Sequence, residues 1–141
     1  HEMEPSYARP DAFVALLPDG REARATFMDD AGWIDDAERG RRCFLRVLLP
    51  IPVRGDDELC WGVWVEVSEP AFVRAWERWD DPAQGDEPPF AGTLANALAG
   101  YADTTGLPGM VQLSGPSSVP RFTLAPHLGH AIALEQREGV Y

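Results

Sequence analysis

A pair of histidines near the end of the chain has the residue types of a metal site. His127 and His130 are three positions apart, and side chains at that spacing face the same way only on a helix. Pro126 and Gly129 instead predict a loop that runs into a strand, so a metal would need further ligands from elsewhere. We expect no metal site here, and we interpret His130 as a residue that forms a hydrogen bond beside the sheet.

Other residue types that could do chemistry are present, but their patterns are ordinary. Four aspartates between positions 29 and 36 lack the spacing of a calcium-binding loop, so we expect a solvated acidic loop. Cys43 and Cys60 fall on opposite faces of neighbouring predicted strands, which disfavours a disulfide, and we expect two ordinary thiols. The chain contains no Walker loop, GxGxxG, HExxH, GxSxG or CxxC motif, so no motif argues for an enzyme.

One charged pair stands out because both residues fall within predicted strands. Arg46 and Glu66 are expected to face each other beside the indole of Trp64. If other elements cover that face, the two charges form a buried ion pair. If the face is open, the three side chains form a platform for a planar or anionic ligand.

The elements that position this pair are the two strands of a hairpin. Two β-rich runs, "RCFLRVLLPIPV" and "LCWGVWVEVS", flank the turn-forming "RGDDE". Alternation places Trp61 on the apolar face and Trp64 on the other, and a centre near Asp56 would pair Ile51 with Trp61. If the Trp64 face is open, we expect Trp61→Ala to destabilise the protein much more than Trp64→Ala.

Helices and further strands are expected on either side of the hairpin. One or two short helices are predicted before residue 27, an amphipathic helix begins at Ser68, and a short helix covers "FAGTLANALAGY". We expect the aromatic stripe of the amphipathic helix, Phe72, Trp76 and Trp79, to be core rather than a ligand groove. Strands are predicted in "GMVQLS", "PRFTLAP" and "HAIALEQREG". The expected fold class is α+β: one domain over residues 1–141, with a mainly antiparallel sheet of about five strands and two to four helices packed on it.

Composition narrows the classes of partner and location. The chain of 141 residues has 12 basic and 23 acidic residues, and its formal charge of -11 repels nucleic acid and anionic lipid surfaces. No window is long and apolar enough for a membrane helix, and the first ten residues lack the apolar core of a signal peptide. We therefore expect a cytoplasmic protein without nucleic-acid or membrane partners. All the basic residues are arginine, which is typical of a GC-rich bacterial genome.

Several blocks of the sequence resemble a bacterial family of unknown function. "CFLRVLLPIPV", "WGVWVEVS", "FAGTLANALAGYADTTGL" and "HAIALEQREG" are similar to blocks of the DUF2199 family, and the resemblance extends from about Pro10 to Gly139. The segment Trp61 to Ser68 is the most specific part. The resemblance implies a bacterial origin and a single domain, but no activity. Members of the family often begin with a zinc-knuckle-like Cys-x-x-Cys-Gly-x-x-His segment; His1 stands at the position of its histidine, and we expect the chain to start just after the cysteines.

The sequence favours a cytoplasmic binding or protein-interaction module over an enzyme. Its partner would be a small molecule or a protein, and no cofactor is expected. The predicted ligand-binding residues are Arg46, Trp64, Glu66, Tyr101, His130 and Gln136. The alternative is a small hydrolase or transferase that uses His130 with a carboxylate such as Glu135 or Glu66. A third hypothesis is a domain that neutralises a protein partner such as a toxin, to which the acidic charge is suited.

Overall fold

The computed structural model describes residues 7–16, 24–52, 58–101, 103–116 and 118–125, together with the single positions 132, 134 and 136. The elements are α1 (Asp11–Val14), β1 (Ala25–Phe27), β2 (Ala31–Asp36), β3 (Gly40–Pro52), β4 (Glu58–Val67), α2 (Glu69–Glu77), a 3-10 turn (Gln84–Asp86), β5 (Phe90–Leu94), β6 (Pro108–Gln112) and β7 (Arg121–Leu124). Ile132, Leu134 and Gln136 are helical.

Five of the strands close into a barrel. Each strand of the sheet pairs with the next one along the chain, and all of these pairings are antiparallel. The sheet closes because β3 also pairs with β7, in parallel, where Leu48 lies opposite Arg121. Strands β3 to β7 therefore form the barrel, and β1 and β2 extend it beyond β3.

The length of β3 makes this closure possible. Its backbone N–H groups alternate between two edges, so those of Arg46 and Leu48 point to the same side. Arg46 donates to the carbonyl of Asp30, which precedes β2, and Leu48 donates to the carbonyl of Pro120, which precedes β7, both at 2.8 Å. One edge of β3 thus passes from β2 to β7 within two residues, while its other edge is paired with β4 from Cys43 to Pro52.

The barrel interior is filled by alternate residues of the strands. The predicted odd-numbered apolar face of β3 and β4 is confirmed as the main core, and Phe72 and Ala75 of α2 join it. The predicted register is wrong by two residues, since Leu49 rather than Ile51 lies opposite Trp61. The buried core residues from the strands are Cys43, Leu45, Val47, Leu49, Ile51, Trp61, Val63, Val65, Val67, Leu94, Val111, Phe122 and Leu124.

Two glycines face each other across β5 and β6, and both lack side chains where the barrel is narrow. Gly92 lies opposite Gly109. A Cβ atom at Gly109 would lie 2.7 Å from Cζ of Phe122 and would overlap the carbonyl oxygen of Thr123. The ring of Phe122, which is fully buried, therefore occupies the space that a side chain at position 109 would need.

The outer face of the β3–β4 hairpin is covered as well, by a second and smaller core. Its buried members are Ile34, Phe44, Trp64 and Ala95, and the aromatic rings of Phe13 from α1 and Phe27 from β1 pack against them. Trp64 is 0% exposed and Trp61 is 8% exposed. Both indoles are thus buried, on opposite faces of the hairpin.

Asn96 fastens the segment 7–16 over this second core. Its side-chain oxygen accepts from the backbone N–H of Trp64 at 2.8 Å, and its Nδ2 donates to the carbonyl of Arg9 at 3.0 Å and to Asp11 Oδ1 at 3.2 Å. The indole N–H of Trp64 donates to the carbonyl of Tyr7 at 3.1 Å. Since Asn96 is fully buried, its amide is the hydrogen-bonding centre that joins three segments.

The predicted α+β fold, with two to four helices packed on a sheet, is wrong. The protein is mostly sheet, and the described part of the chain has two helices besides the helical positions 24, 132, 134 and 136. Residues expected to be helical or in an acidic loop form β1 and β2, because β1 pairs with β2 and β2 pairs with β3. The predicted helix at 90–100 begins as β5, because this segment pairs with β4. Sheet pairing outweighs local propensity at these positions.

Other sequence predictions are confirmed. The hairpin, the two strands β6 and β7, and helix α2 are present, and Ser68 caps α2 by accepting from the N–H of Ala71 at 3.2 Å.

The predicted strand over 130–139 is wrong at each of its described positions. Ile132 and Gln136 lie four residues apart on one helical face, so Ile132 can enter the main core while Gln136 reaches the strands.

We predict that Gly109→Ala lowers the free energy of unfolding by at least ~2 kcal/mol, because the added methyl group displaces Phe122 or the backbone beside it. Chemical denaturation measures this change. Gly85→Ala is the control, since a Cβ there meets nothing closer than 3.9 Å. Equal stabilities for the two variants would show that the barrel tolerates a side chain at position 109.

We predict that Trp64→Ala lowers the free energy of unfolding by ~3–5 kcal/mol, at least as much as Trp61→Ala, because both indoles are buried. This reverses the order expected for an open outer face. Urea titrations of both variants followed by circular dichroism provide the comparison. A loss below ~1 kcal/mol for Trp64→Ala would mean that the segment 7–16 does not cover the indole in solution.

We predict that Asn96→Ala costs ~2–3 kcal/mol, because it leaves the backbone N–H of Trp64 and the carbonyl of Arg9 without their partner. Amide hydrogen exchange is expected to show faster exchange at Trp64 in this variant. Thr105→Ala, which changes an exposed hydroxyl in the following loop, is expected to leave stability and exchange unchanged. Unchanged exchange at Trp64 in Asn96→Ala would contradict the proposed role of the amide.

Candidate functional site

The predicted platform of Arg46, Trp64 and Glu66 does not exist as one surface. Trp64 is buried in the second core, and it lies opposite Arg46 across the hairpin. Arg46 approaches Asp30, with 3.9 Å between Nη1 and Oδ1. Glu66 instead pairs with Arg42. The three residues are therefore directed to three different surroundings.

Glu66 and Arg42 form a two-point ion pair at the other end of the hairpin. Arg42 Nε lies 3.0 Å from Glu66 Oε2, and Arg42 Nη2 lies 2.7 Å from Glu66 Oε1. The guanidinium also lies over the ring of Phe44, 5.5 Å from its centroid. The hydrogen bonds to Glu66 raise the pKa of Arg42. With both carboxylate oxygens engaged, Glu66 contributes to the stability of the fold.

This ion pair borders a polar cleft of about 260 Å³ that also reaches Asp11, Thr93 and Thr105. The carboxylate of Asp11 is used within the chain, since it accepts from the backbone N–H of Ala97 at 2.7 Å and from the amide of Asn96. Both acidic groups of the cleft thus have partners in the protein itself. The polar cleft therefore offers little binding capacity for a cation.

Tyr101 and Gln136, two further predicted ligand-binding residues, have structural contacts. The ring of Tyr101 meets Trp61 edge-on, with 5.9 Å between centroids and 72° between planes. The side chain of Gln136 donates to the carbonyls of Pro50 on β3 and Phe122 on β7, and accepts from the N–H of Leu124 at 2.7 Å. Gln136 therefore bridges the two strands whose pairing closes the barrel.

The predicted histidine site cannot be placed. His127, His130 and Glu135 lie outside the described residues. Among the described residues, no group of three or more histidine, cysteine, aspartate or glutamate side chains is arranged to hold a metal ion. No disulfide joins Cys43 to Cys60, both of which are described, and burial raises the pKa of the Cys43 thiol to about 11, so this group is neutral near pH 7.

A different surface combines exposed aromatic rings with carboxylates. The end of α2 and the turn between β1 and β2 enclose a space of about 260 Å³, which we call the indole cleft. The turn is fixed by the N–H of Met28, which donates to the carbonyl of Ala31 at 2.8 Å. The lining residues are Met28, Asp29, Asp30, Ala31, Trp76 and Trp79.

Trp76 is the most exposed aromatic wall of the indole cleft. It is 49% exposed, although its ring stacks on buried Phe72 with 6.3 Å between centroids and 15° between planes. Trp79 is partly buried against the main core, and Met28 is 36% exposed. The core interpretation of the aromatic stripe is thus correct for Phe72 and wrong for Trp76, because α2 faces the main core with Phe72 and Ala75 and Trp76 lies beside that face.

The acidic side of the indole cleft is only partly neutralised. Asp30 has Arg46 at 3.9 Å, with both side chains more than a third exposed. Asp29 is exposed, and within the described part of the chain no basic group or hydrogen-bond donor contacts its carboxylate. The cleft therefore presents an exposed indole and a carboxylate that no described basic group neutralises. Sequence reasoning missed it because residues 28–31 and 76–79 meet only through the tertiary fold.

None of the helices in the described residues combines the length and apolar character needed to cross a membrane. Comparison with curated proteins and with solved structures gives no match. The model of a family described as "Uncharacterized protein conserved in bacteria (DUF2199)" matches residues 1–140. Because this match covers nearly the whole chain, the resemblance seen in the sequence is confirmed: the chain belongs to the DUF2199 family of bacterial proteins.

Proposed function

We propose that the protein is a binding or protein-interaction module and that the indole cleft is its recognition surface. The observation that carries this proposal is the exposure of Trp76 beside Trp79 and Met28. Because about half of the indole is exposed to water, the protein lacks part of the stabilising free energy that full burial of this side chain would provide. Tryptophan is also enriched among residues that contribute most to binding. These properties suit a residue that is buried when a partner binds.

The partners of the carboxylates in the two clefts also favour the indole cleft as the recognition surface. In the polar cleft, Glu66 is engaged by Arg42, and Asp11 is engaged by the side-chain amide of Asn96 and the backbone N–H of Ala97, so neither carboxylate is positioned as a general base. In the indole cleft, Asp29 has no described partner. A candidate binding surface is therefore present among the described residues. The hydrolase alternative instead requires His130, which lies outside them. We keep a small molecule or a protein as the partner and, since cysteines that are not joined by a disulfide suit a reducing compartment, the cytoplasm as the location.

The test is affinity capture from a lysate of a bacterium that carries this gene, with the wild type, Trp76→Ala and Val73→Ala as bait. Val73 is the matched control, because it is also 49% exposed on α2 but does not line the cleft. We expect proteins captured by the wild type and Val73→Ala to be lost with Trp76→Ala. Thermal melts are expected to show similar stability for all three proteins, as exposed substitutions change it little.

Two results would contradict this proposal. Equal capture by Trp76→Ala and the wild type would show that the indole cleft is not the recognition surface. A loss of stability in Trp76→Ala as large as that of a core truncation would show that the indole has a structural role instead.

A further inference from the structure

We infer that the indole cleft binds an arginine side chain presented by a protein partner. This inference rests on the proposed function and specifies the chemistry of the ligand. A space of about 260 Å³ suits one long side chain rather than a folded element. The walls supply an indole face, to which a cation is attracted, and a carboxylate, with which it forms a charge-assisted hydrogen bond.

The protein already contains an arginine held by the same two groups. Arg41 lies over the ring of Trp33, with 4.9 Å from its guanidinium carbon to the ring centroid. The same guanidinium donates to Asp35, with Nε 2.8 Å from Oδ1 and Nη2 3.4 Å from Oδ2. In the indole cleft, Trp76 and Asp29 supply the equivalent ring and carboxylate without a described arginine. The internal pair shows how such a site holds a guanidinium.

A second internal site shows that this chain uses aromatic rings to hold arginine. The guanidinium carbon of Arg9 lies between 5.4 and 5.9 Å from the centroids of three rings, those of Phe13, Phe27 and Trp64. Here the arginine belongs to the segment 7–16 and covers the outer face of the hairpin. The indole cleft has the same kind of aromatic surface but faces solvent.

The geometry favours arginine over lysine. A guanidinium is planar, so it can stack on an indole while its edge donates two parallel hydrogen bonds to one carboxylate. Arg46, 3.9 Å from Asp30, places a positive charge on that side of the cleft and directs an incoming cation to Asp29. The formal charge of -11 attracts basic segments over longer distances.

The test uses NMR of the indole N–H groups in the ¹⁵N-labelled full chain, with Trp76 assigned from Trp76→Phe. The probes are the peptide acetyl-Gly-Gly-Arg-Gly-Gly-amide and the same peptide with citrulline, which keeps the shape of arginine but lacks its charge. We expect the arginine peptide to shift the Trp76 and Trp79 signals in a saturable way. The citrulline peptide is expected to bind at least ~10-fold more weakly, since it loses the cation–π attraction and the charge-assisted bonds.

Variants and a third probe decide between the outcomes. We expect Asp29→Asn to weaken binding of the arginine peptide several-fold, Trp76→Ala to abolish it, and Val73→Ala to leave it unchanged. Equal binding of the citrulline peptide, or equal binding by Asp29→Asn and Val73→Ala, would overturn the inference. Tighter binding of tetramethylammonium than of the arginine peptide would also overturn it, in favour of a small organic cation.

Failure of this inference can be told apart from failure of the proposed function. If Trp76→Ala loses captured proteins but the arginine peptide does not bind the wild type, the module binds a partner by other chemistry and only the arginine inference fails. If the variant retains the captured proteins, the proposed function fails as well.

Discussion

The hydrogen bonds along one edge of β3 are the constraint on which the rest of the structure depends. Along that edge, β3 is hydrogen-bonded to β2 up to Arg46 and to β7 from Leu48 onward. The parallel pairing with β7 turns an otherwise open sheet into a barrel, and a closed barrel of five strands has a narrow interior. Gly109 leaves room for Phe122 inside it, and Gln136 joins β3 to β7 where Pro50 has no N–H to offer.

Closing the barrel buries one face of the hairpin and leaves the other to be covered by separate means. The second core meets this need with rings from α1 and β1 and with the amide of Asn96, which ties the segment 7–16 to the hairpin. Helix α2 packs on a different part of the barrel through Phe72 and Ala75, whereas Trp76 lies beside that buried face and reaches solvent. The exposed indole is thus a consequence of its position at the margin of the buried face of α2.

Features with a strong local pattern were predictable from the sequence, and those that depend on sheet pairing against local propensity or on distant partners were not. Alternation identified the hairpin and assigned Trp61 and Trp64 to opposite faces, and Ser68 marked the start of α2. The register was wrong by two because a shift of two residues leaves every side chain on the same face. Strands β1 and β2 pair with nearby segments, but their acidic, glycine-containing residues carry a weak strand signal. Strand β5 and the closure between Leu48 and Arg121 depend on partners far along the chain. For the same reason, the meeting of Asp29 with Trp76 had no local signal.

The fastening of segment 7–16 by Asn96 also bears on how the chain is made. A ribosome releases residues 7–16 early, yet their partner Asn96 emerges only after both strands of the hairpin have been synthesised. During that interval Phe44 and Trp64 lack the amide that later secures their cover. The segment 7–16 can therefore be fastened over the outer face of the hairpin only after Asn96 has been synthesised, although it is the first described part of the chain to be made.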